Sequence, residues 1–234
     1  MPSLSVILPA YNEAGRLAQS LAQLRSALGS YGEVELLVVD DGSTDSTLET
    51  AMRAGARVLP LSPNAGKGWA VREGMLLARG ERRLICDVDL STPPDQLEKL
   101  WKTLDEGAQV AIGSRSLPTS EVRRRQPWYR EGMGRSFNRL VQGLVMPGFI
   151  DTQCGFKLFD GEAADAIFRR LKVRGFAFDV EVLVIAAALG YRVEEVPVVW
   201  ENHPNSSVGL VEDSAKMLVD LGRIAWRKSQ GGYP

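Results

Sequence analysis

Short apolar runs alternate with stretches of helical periodicity through the first two-thirds of the chain. The runs predict strands at Leu4–Leu8, Val34–Val39, Arg57–Leu59, Arg83–Cys86 and Val110–Ile112. The stretches between them predict helices at Glu13–Leu28, Ser46–Ala54, Gly68–Ala78 and Pro94–Glu106. Strands separated by helices indicate an α/β fold, with a mostly parallel sheet flanked by helices. The strands are apolar throughout, as in sheets that are buried on both faces.

Polar clusters follow several of the predicted strands directly. They are Pro9–Glu13, Asp40–Ser43, Asp87–Asp89 and Gly113–Arg115. Sheets of this kind bind ligands at the carboxyl ends of their strands. We therefore predict one binding edge formed by these four clusters.

The remainder of the chain has a different pattern. The segment Leu117–Ile150 contains six arginines and several aromatic residues against only two glutamates. After the polar turn Asp151–Gly155, we predict helices near Glu162–Leu171 and Asp179–Leu189, a strand at Arg192–Trp200, and an amphipathic helix near Val211–Arg227. We find no internal repeat, and we expect residues 1–234 to form a single domain.

Composition excludes several classes of protein. The formal net charge of −1 provides no general attraction for nucleic acid, so we expect no nucleic-acid partner. Two cysteines are too few for a disulfide framework and favour a reducing compartment, which together with the absence of a signal-like N-terminus predicts a cytoplasmic location. His203 is the single histidine, so a Ser-His-Asp or Cys-His mechanism could be built only around this residue. No apolar stretch is long enough to span a bilayer, so any membrane contact would be peripheral.

Three clusters suggest chemistry. Asp87 and Asp89 end an apolar strand and could converge on Mg²⁺ or Mn²⁺, or they could be solvated loop acids. Asp40 and Asp41 could accept the ring N–H of uracil or guanine, while the residues that follow them fit a turn and a helix cap. Lys67, between two glycines at a helix start, suits a phosphate that the helix amides assist, although a flexible turn is the alternative.

The motifs Val6–Glu13, Val38–Asp45 and Asp87–Asp89 strongly resemble glycosyltransferase family 2, whose members have the Rossmann-like GT-A fold. The resemblance extends through Gly66–Gly68, Gly113–Arg115 and Asp151–Lys157, and so covers nearly the whole chain. Asp151–Lys157 and Phe178–Glu181 look most like dolichyl-phosphate β-glucosyltransferases, with dolichol-phosphate mannosyltransferases next.

The resemblance implies specific roles. It divides the domain into a nucleotide-sugar-binding half, 1–116, and an acceptor-binding half, 117–234. Residues implied to bind the nucleotide sugar are Pro9, Tyr11, Glu13, Asp40, Asp41, Lys67, Asp87 and Arg115. Asp87 and Asp89 would hold the metal, and Asp89, Arg115 and Asp151 would be catalytic. Arg135, Asn138 and Gln153 would face the acceptor. Ser91 stands where mannosyltransferases often carry a metal-proximal glutamine, and Ser207 where many relatives carry a basic residue.

The implied reaction is inverting transfer of a hexose, most simply glucose from UDP-glucose, to a polyprenyl or dolichyl phosphate. Such a phosphate is already ionised and needs no strong general base. The alternatives are GDP-mannose as donor, or a soluble or glycan hydroxyl acceptor with Asp151 as the base. A non-catalytic nucleotide-sugar-binding module and a nucleotidyltransferase are further alternatives. The arginine-rich segment could hold the acceptor phosphate and rest on anionic headgroups, or it could be a solvated face.

Overall fold

The computed structural model describes residues 2–203 and 212–233, so Ser207 lies outside the described residues. A central sheet is built from seven strands: β1 Leu4–Ala10, β2 Val34–Asp40, β3 Arg57–Pro60, β4 Arg82–Cys86, β5 Val110–Ser114, β7 Phe156–Asp160 and β8 Val193–Pro197. Two further strands, β6 Glu121–Arg124 and β9 Val199–Glu201, pair with each other. The order across the large sheet is β3-β2-β1-β4-β7-β5-β8, and every pair that excludes β7 is parallel.

Helices cover both faces of this sheet. They are α1 Ala14–Leu28, α2 Thr47–Arg53, α3 Lys67–Leu77, α4 Leu97–Asp105, α5 Trp128–Leu144, α6 Gly161–Phe168, α7 Phe178–Ala188 and α8 Glu212–Ser229. Alternate residues of β1 enter different cores: Leu4, Val6 and Leu8 pack with α1 and α4, whereas Ile7 packs with α3, α6 and α7. Because both faces are buried, the central residues of β1, β2, β4 and β5 are apolar, as the sequence predicts.

The predicted α/β fold is therefore confirmed, and each of the first five predicted strands is present. The single strand predicted at Arg192–Trp200 is wrong. The chain leaves the central sheet at Pro197, and Val199–Glu201 then pairs with β6 instead. Proline has no N–H to continue a ladder, which explains why the strand breaks there. The helix predicted from Pro94 begins as a short 3-10 turn over Pro94–Gln96.

Strand β7 was not predicted, and it is the only antiparallel strand of the central sheet within the described residues. It lies between β4 and β5, with Phe156 opposite Cys86. Its second residue, Lys157, has no exposed surface, and a charged side chain at that point hides the apolar character of the strand. This insertion places Gly155 directly beside Asp87.

Candidate active site

Two cavities open at the carboxyl edge of the sheet and meet at one shared wall. The smaller measures about 410 Å³ and the larger about 770 Å³. The wall that they share consists of Lys67, Asp87, Asp89 and Phe176. The predicted metal and phosphate residues therefore stand where a ligand in one cavity would meet a ligand in the other.

Asp87 is fixed by two neighbours. Its Oδ1 lies 2.6 Å from the Nζ of Lys67. On the other side it meets Gly155, where a Cβ would lie only 2.0 Å from the Asp87 carboxylate, so this position requires glycine. Burial alone would lower the pKa of Lys67, but Asp87, Asp179 and Asp89 together raise it, and the lysine stays charged.

A tight turn brings Asp87 and Asp89 to the same side of the strand end. The amide of Leu90 donates to the carbonyl oxygen of Asp87 at 3.1 Å, and the amide of Ser91 donates to Oδ1 of Asp89 at 2.9 Å. Leu90 has φ = 49°, a left-handed value that a leucine adopts only when its surroundings impose it. The turn that places both carboxylates on the wall between the two cavities therefore contains a strained backbone residue.

The smaller cavity contains the residues that were predicted to bind the nucleoside. Pro9, Tyr11, Glu13 and Asp41 all line it. Asp40 does not; it is buried, and its carboxylate accepts the amide of Ser43 at 3.3 Å.

Asp41 both lines the smaller cavity and holds the loop that precedes α3. Its two carboxylate oxygens accept the amides of Ala65 and Gly66, at 2.7 and 2.9 Å. Burial raises the pKa of Asp41, and the neighbouring charge of Asp40 adds to that rise.

The glycines that flank Lys67 have a different purpose from the predicted one. The Gly66 amide donates to Asp41, and the Gly68 amide donates to the carbonyl oxygen of Arg174 at 2.7 Å, so neither is free for a phosphate. A Cβ at Gly66 would lie 2.6 Å from the Arg174 oxygen, and one at Gly68 would lie 2.6 Å from the Val173 oxygen. The amides of Gly66 and Gly68 are therefore not available to a phosphate, and these two glycines allow the close packing that presents the Lys67 side chain.

Arg115 lines the larger cavity and forms an ion pair with Asp151. Two guanidinium nitrogens, Nε and Nη2, lie 2.7 Å from the two oxygens of Asp151, and the Arg115 amide donates to the same carboxylate at 2.9 Å. Burial alone would raise the pKa of Asp151, but the charge of Arg115, the hydrogen bonds from Arg115 and the charge of Lys157 together lower that pKa. Asp151 lines neither cavity.

The three predicted acceptor residues have different positions. Gln153 lines the larger cavity, and its Nε2 is buried with no hydrogen-bond partner in the described part of the chain. Arg135 lines neither cavity and pairs with Glu131 at 3.0 Å. Asn138 also lines neither, and its amide donates to the carbonyl oxygen of Ile150 at 2.6 Å.

A buried ion pair at the larger cavity was not predicted. Asp179 lines this cavity, and its Oδ1 lies 2.5 Å from the Nζ of Lys157, which reaches it from β7. Burial raises the pKa of Asp179, although Lys157 and Lys67 oppose that rise. The available signal was a charged residue inside each of two apolar runs, Phe156–Phe159 and Phe178–Leu183.

Comparison with known proteins identifies the family of this chain. The family model for glycosyl transferase family 2 matches residues 5–168. Dolichyl-phosphate beta-glucosyltransferase from Drosophila melanogaster is 40% identical over 98% of this chain and 76% of its own length. The human enzyme of the same name is 38% identical, over 98% of this chain and 77% of its own length.

Solved structures confirm the fold. Glucosyl-3-phosphoglycerate synthase from Mycobacterium tuberculosis, in complex with UDP, superposes with a TM-score of 0.73 at 22% identity, covering 100% of this chain and 81% of that chain. This likeness indicates the GT-A architecture and nothing about the substrate. Together, the matched family model, the relatives and the fold show that the chain belongs to glycosyltransferase family 2.

Proposed function

We propose that this protein transfers glucose from UDP-glucose to a polyprenyl phosphate of the dolichyl type, with inversion at the anomeric carbon. The observation that carries the proposal is the meeting of two cavities at Asp87 and Asp89. One cavity is lined by Tyr11, Glu13 and Asp41, which were predicted to bind the nucleoside, and the other is lined by large apolar side chains such as Trp128, Met133 and Leu140. Relatives at 40% and 38% identity are named for this activity, which favours glucose over mannose.

The donor is proposed to lie across the shared wall. Its uridine would occupy the smaller cavity beside Tyr11 and Asp41, and its diphosphate would lie at Lys67, Asp87 and Asp89. The glucose would then project into the larger cavity. Lys67 supplies a positive charge that its three acidic neighbours keep in place.

The residues at this wall fit a divalent cation. The described part of the chain contains no group of three or more His, Cys, Asp or Glu side chains that could hold a metal by itself. Magnesium and manganese sites in such enzymes use one or two carboxylates and take further oxygens from substrate phosphates, which Asp87 and Asp89 satisfy. A structural neighbour was crystallised with Mn²⁺ and UDP-glucose. When bound here, the ion would neutralise charge on the departing diphosphate.

The acceptor phosphate is proposed to bind Arg115. This arginine lines the larger cavity and does not line the smaller one, which favours the acceptor over the donor as its ligand. A phosphate oxygen attacks the anomeric carbon on the face opposite the UDP oxygen. The carbon–oxygen bond to UDP then breaks, and UDP leaves with the electron pair. Because the acceptor phosphate is already ionised, no proton has to be removed.

The state of Asp151 supports a phosphate acceptor over a hydroxyl acceptor. A hydroxyl would need a base, and Asp151 was the predicted candidate. Both of its oxygens are paired with Arg115 and its pKa is lowered, which makes it a weak base that does not face the cavity.

We further propose that the reaction takes place at the cytoplasmic face of a membrane. Both cysteines, Cys86 and Cys154, are unpaired thiols, which fits a reducing compartment. Within the described ranges, no helix has the length and apolar content to cross a bilayer.

The test is a transfer assay with the purified protein. Radiolabelled UDP-glucose and GDP-mannose are each offered with polyprenyl phosphate, 3-phosphoglycerate or free glucose, in the presence of Mn²⁺ or EDTA. We expect label in the lipid fraction only with UDP-glucose, polyprenyl phosphate and Mn²⁺. Transfer to 3-phosphoglycerate without transfer to lipid phosphate would overturn the proposal.

A further inference from the structure

Helices α5 and α8 bury far less of their surface than the other long helices. In the 17 residues of α5 only Val141 is buried, and in the 18 residues of α8 only Leu221 and Ile224 are buried. In water, a helix in a protein owes most of its stability to a packed apolar face. The outer faces of these two helices therefore lack the covering that such helices normally have.

Large exposed apolar side chains are concentrated on the same two helices. Of the twelve in the described part of the chain, eight lie on α5 or α8, and we call these eight the apolar rim: Trp128, Tyr129, Met133, Leu140, Leu144, Leu218, Val219 and Trp226. Trp128 is 85% exposed, Trp226 is 66% and Leu144 is 61%. A concentration of exposed apolar side chains on one part of a protein surface is typical of an interaction site.

Helical spacing and the cavity bring the members of the apolar rim together. Met133, Leu140 and Leu144 follow one another at intervals of seven and four residues, so they share one face of α5. Five members also line the larger cavity: Trp128, Tyr129, Met133, Leu140 and Leu218. Part of the apolar rim therefore borders the cavity that we assign to the acceptor, whereas Leu144, Val219 and Trp226 lie outside that cavity.

The charges and aromatic residues around the rim match a lipid surface. Helix α5 carries three arginines, Arg130, Arg135 and Arg139, against the single acid Glu131, in a chain whose net charge is −1. Basic residues near an anionic leaflet are attracted to its headgroups. Tryptophan and tyrosine prefer the interface between headgroups and acyl chains, as at Trp128, Tyr129 and Trp226.

We propose that the apolar rim is a membrane-docking surface, with α5 and α8 lying in the headgroup region of an anionic bilayer. Amphipathic helices that lie in the membrane plane bury one apolar face at this depth. The role of this surface in catalysis rests on the proposed function. A lipid phosphate acceptor in the bilayer would raise only its phosphate into the larger cavity, and its hydrocarbon chain would pass between α5 and α8 and remain in the lipid. In this arrangement the bilayer covers the exposed apolar faces of α5 and α8.

The experiment uses two double variants of the whole chain. Leu144→Gln with Trp226→Gln removes two apolar side chains of the rim that line neither cavity. The matched control, Met52→Gln with Leu77→Gln, removes two exposed apolar side chains elsewhere on the surface. Flotation with vesicles of phosphatidylcholine and phosphatidylglycerol measures binding, and circular dichroism confirms that each variant is folded.

We expect wild type and the control to float with the vesicles and the rim variant to lose at least about tenfold in partitioning, since each buried side chain of this size contributes about that factor. With a short, water-soluble polyprenyl phosphate, transfer by the rim variant should equal that of wild type. With a long-chain acceptor in vesicles, its transfer should fall along with binding.

Two outcomes overturn the docking surface. One is vesicle binding that the rim variant retains in full. The other is self-association of the wild type, seen by analytical ultracentrifugation and abolished in the rim variant, which makes the rim an interface between copies. If wild type binds vesicles through the rim but transfers glucose to no lipid phosphate, the docking surface stands and the proposed function fails.

Discussion

Asp87 and Asp89 are one residue apart, yet their surroundings give them different tasks. Asp87 forms an ion pair with Lys67 and packs closely against Gly155, and these two contacts fix the position of its side chain. Among the residues that the structure describes, the Asp89 carboxylate accepts a hydrogen bond from the Ser91 amide alone, through Oδ1. Oδ2 of Asp89 is therefore the oxygen better placed to take an external ligand.

Asp89→Asn is expected to lower kcat by roughly 100-fold or more, because it removes a charge from the site that stabilises the departing diphosphate. The fold should persist, since the asparagine oxygen can still accept the Ser91 amide. Glucose transfer with Mn²⁺, together with a thermal melt, measures both effects. Asp95→Asn, at an exposed acid of the nearby 3-10 turn, is the control. More than a tenth of wild-type activity in Asp89→Asn would remove this residue from the metal site.

Asp151→Asn leaves Arg115 without its partner charge. We expect a loss of about 2–4 kcal/mol in the free energy of unfolding, less than for a fully buried pair because the Arg115 side chain is 27% exposed. The folded-state pKa of Asp151 is lowered, so its contribution to stability is present above the unfolded pKa of about 4 and is lost as pH falls through the folded value. Urea unfolding of both proteins between pH 7 and pH 3 checks this. A constant difference across that range would contradict it.

At the scale of elements, the sequence predicted the strands and helices that are determined by a local pattern of apolar residues. The first five strands and the helices between them were found because each has its own apolar period. Strand β7 was not predicted, because it contains the charged residue Lys157. In the structure Lys157 forms an ion pair with Asp179, which lies 22 residues further along the chain, and that pairing cannot be recognised from the sequence spacing. The pairing of β6 with β9 depends likewise on contacts between distant segments.

The glycine at the start of α3 allows a sharp test of close packing between elements. Gly68→Ala would place a Cβ 2.6 Å from the Val173 oxygen and from the Phe178 Cβ. We expect a loss of about 1–3 kcal/mol in the free energy of unfolding, with weaker UDP-glucose binding because Lys67 is displaced. Chemical denaturation and calorimetric titration measure the two effects.

Gly15→Ala in α1 is the matched control. A Cβ there meets nothing within 4 Å, so the substitution should stabilise the helix by about 0.5–1 kcal/mol and leave UDP-glucose binding unchanged. Equal stability of the two alanine variants would show that the packing around Gly68 relaxes without cost.

At the scale of the whole molecule, the candidate site could be predicted in part. The acids and bases that follow strands converge as expected, because the carboxyl ends of parallel strands share one edge. Arg135 and Asn138 were assigned to the acceptor from the helix that carries them, but the direction of each side chain depends on how that helix packs. The predicted nucleotide-sugar-binding and acceptor-binding halves both contribute to the smaller cavity, because Gly175 and Lys216 line it together with residues from 1–116.

Charge on the surface gives a prediction at this scale. Replacing Arg123, Arg124 and Arg125 together with glutamine should weaken binding to anionic vesicles severalfold at low salt and little at high salt, because exposed charges are screened. Sedimentation with vesicles at two salt concentrations measures it. Arg25, Arg53 and Lys102, which are exposed basic residues of α1, α2 and α4, provide a control of equal charge. Equal loss in both variants would indicate that only net charge matters.

The position of β7 has a consequence for how the protein is made. The slot between β4 and β5 is filled by residues that the ribosome adds some 70 positions after Cys86. Until that segment emerges, two apolar strand edges have no partner, and such edges invite pairing with other nascent chains. A fragment that stops before Phe156 would therefore be a candidate for chaperone capture or aggregation rather than a minimal UDP-binding unit.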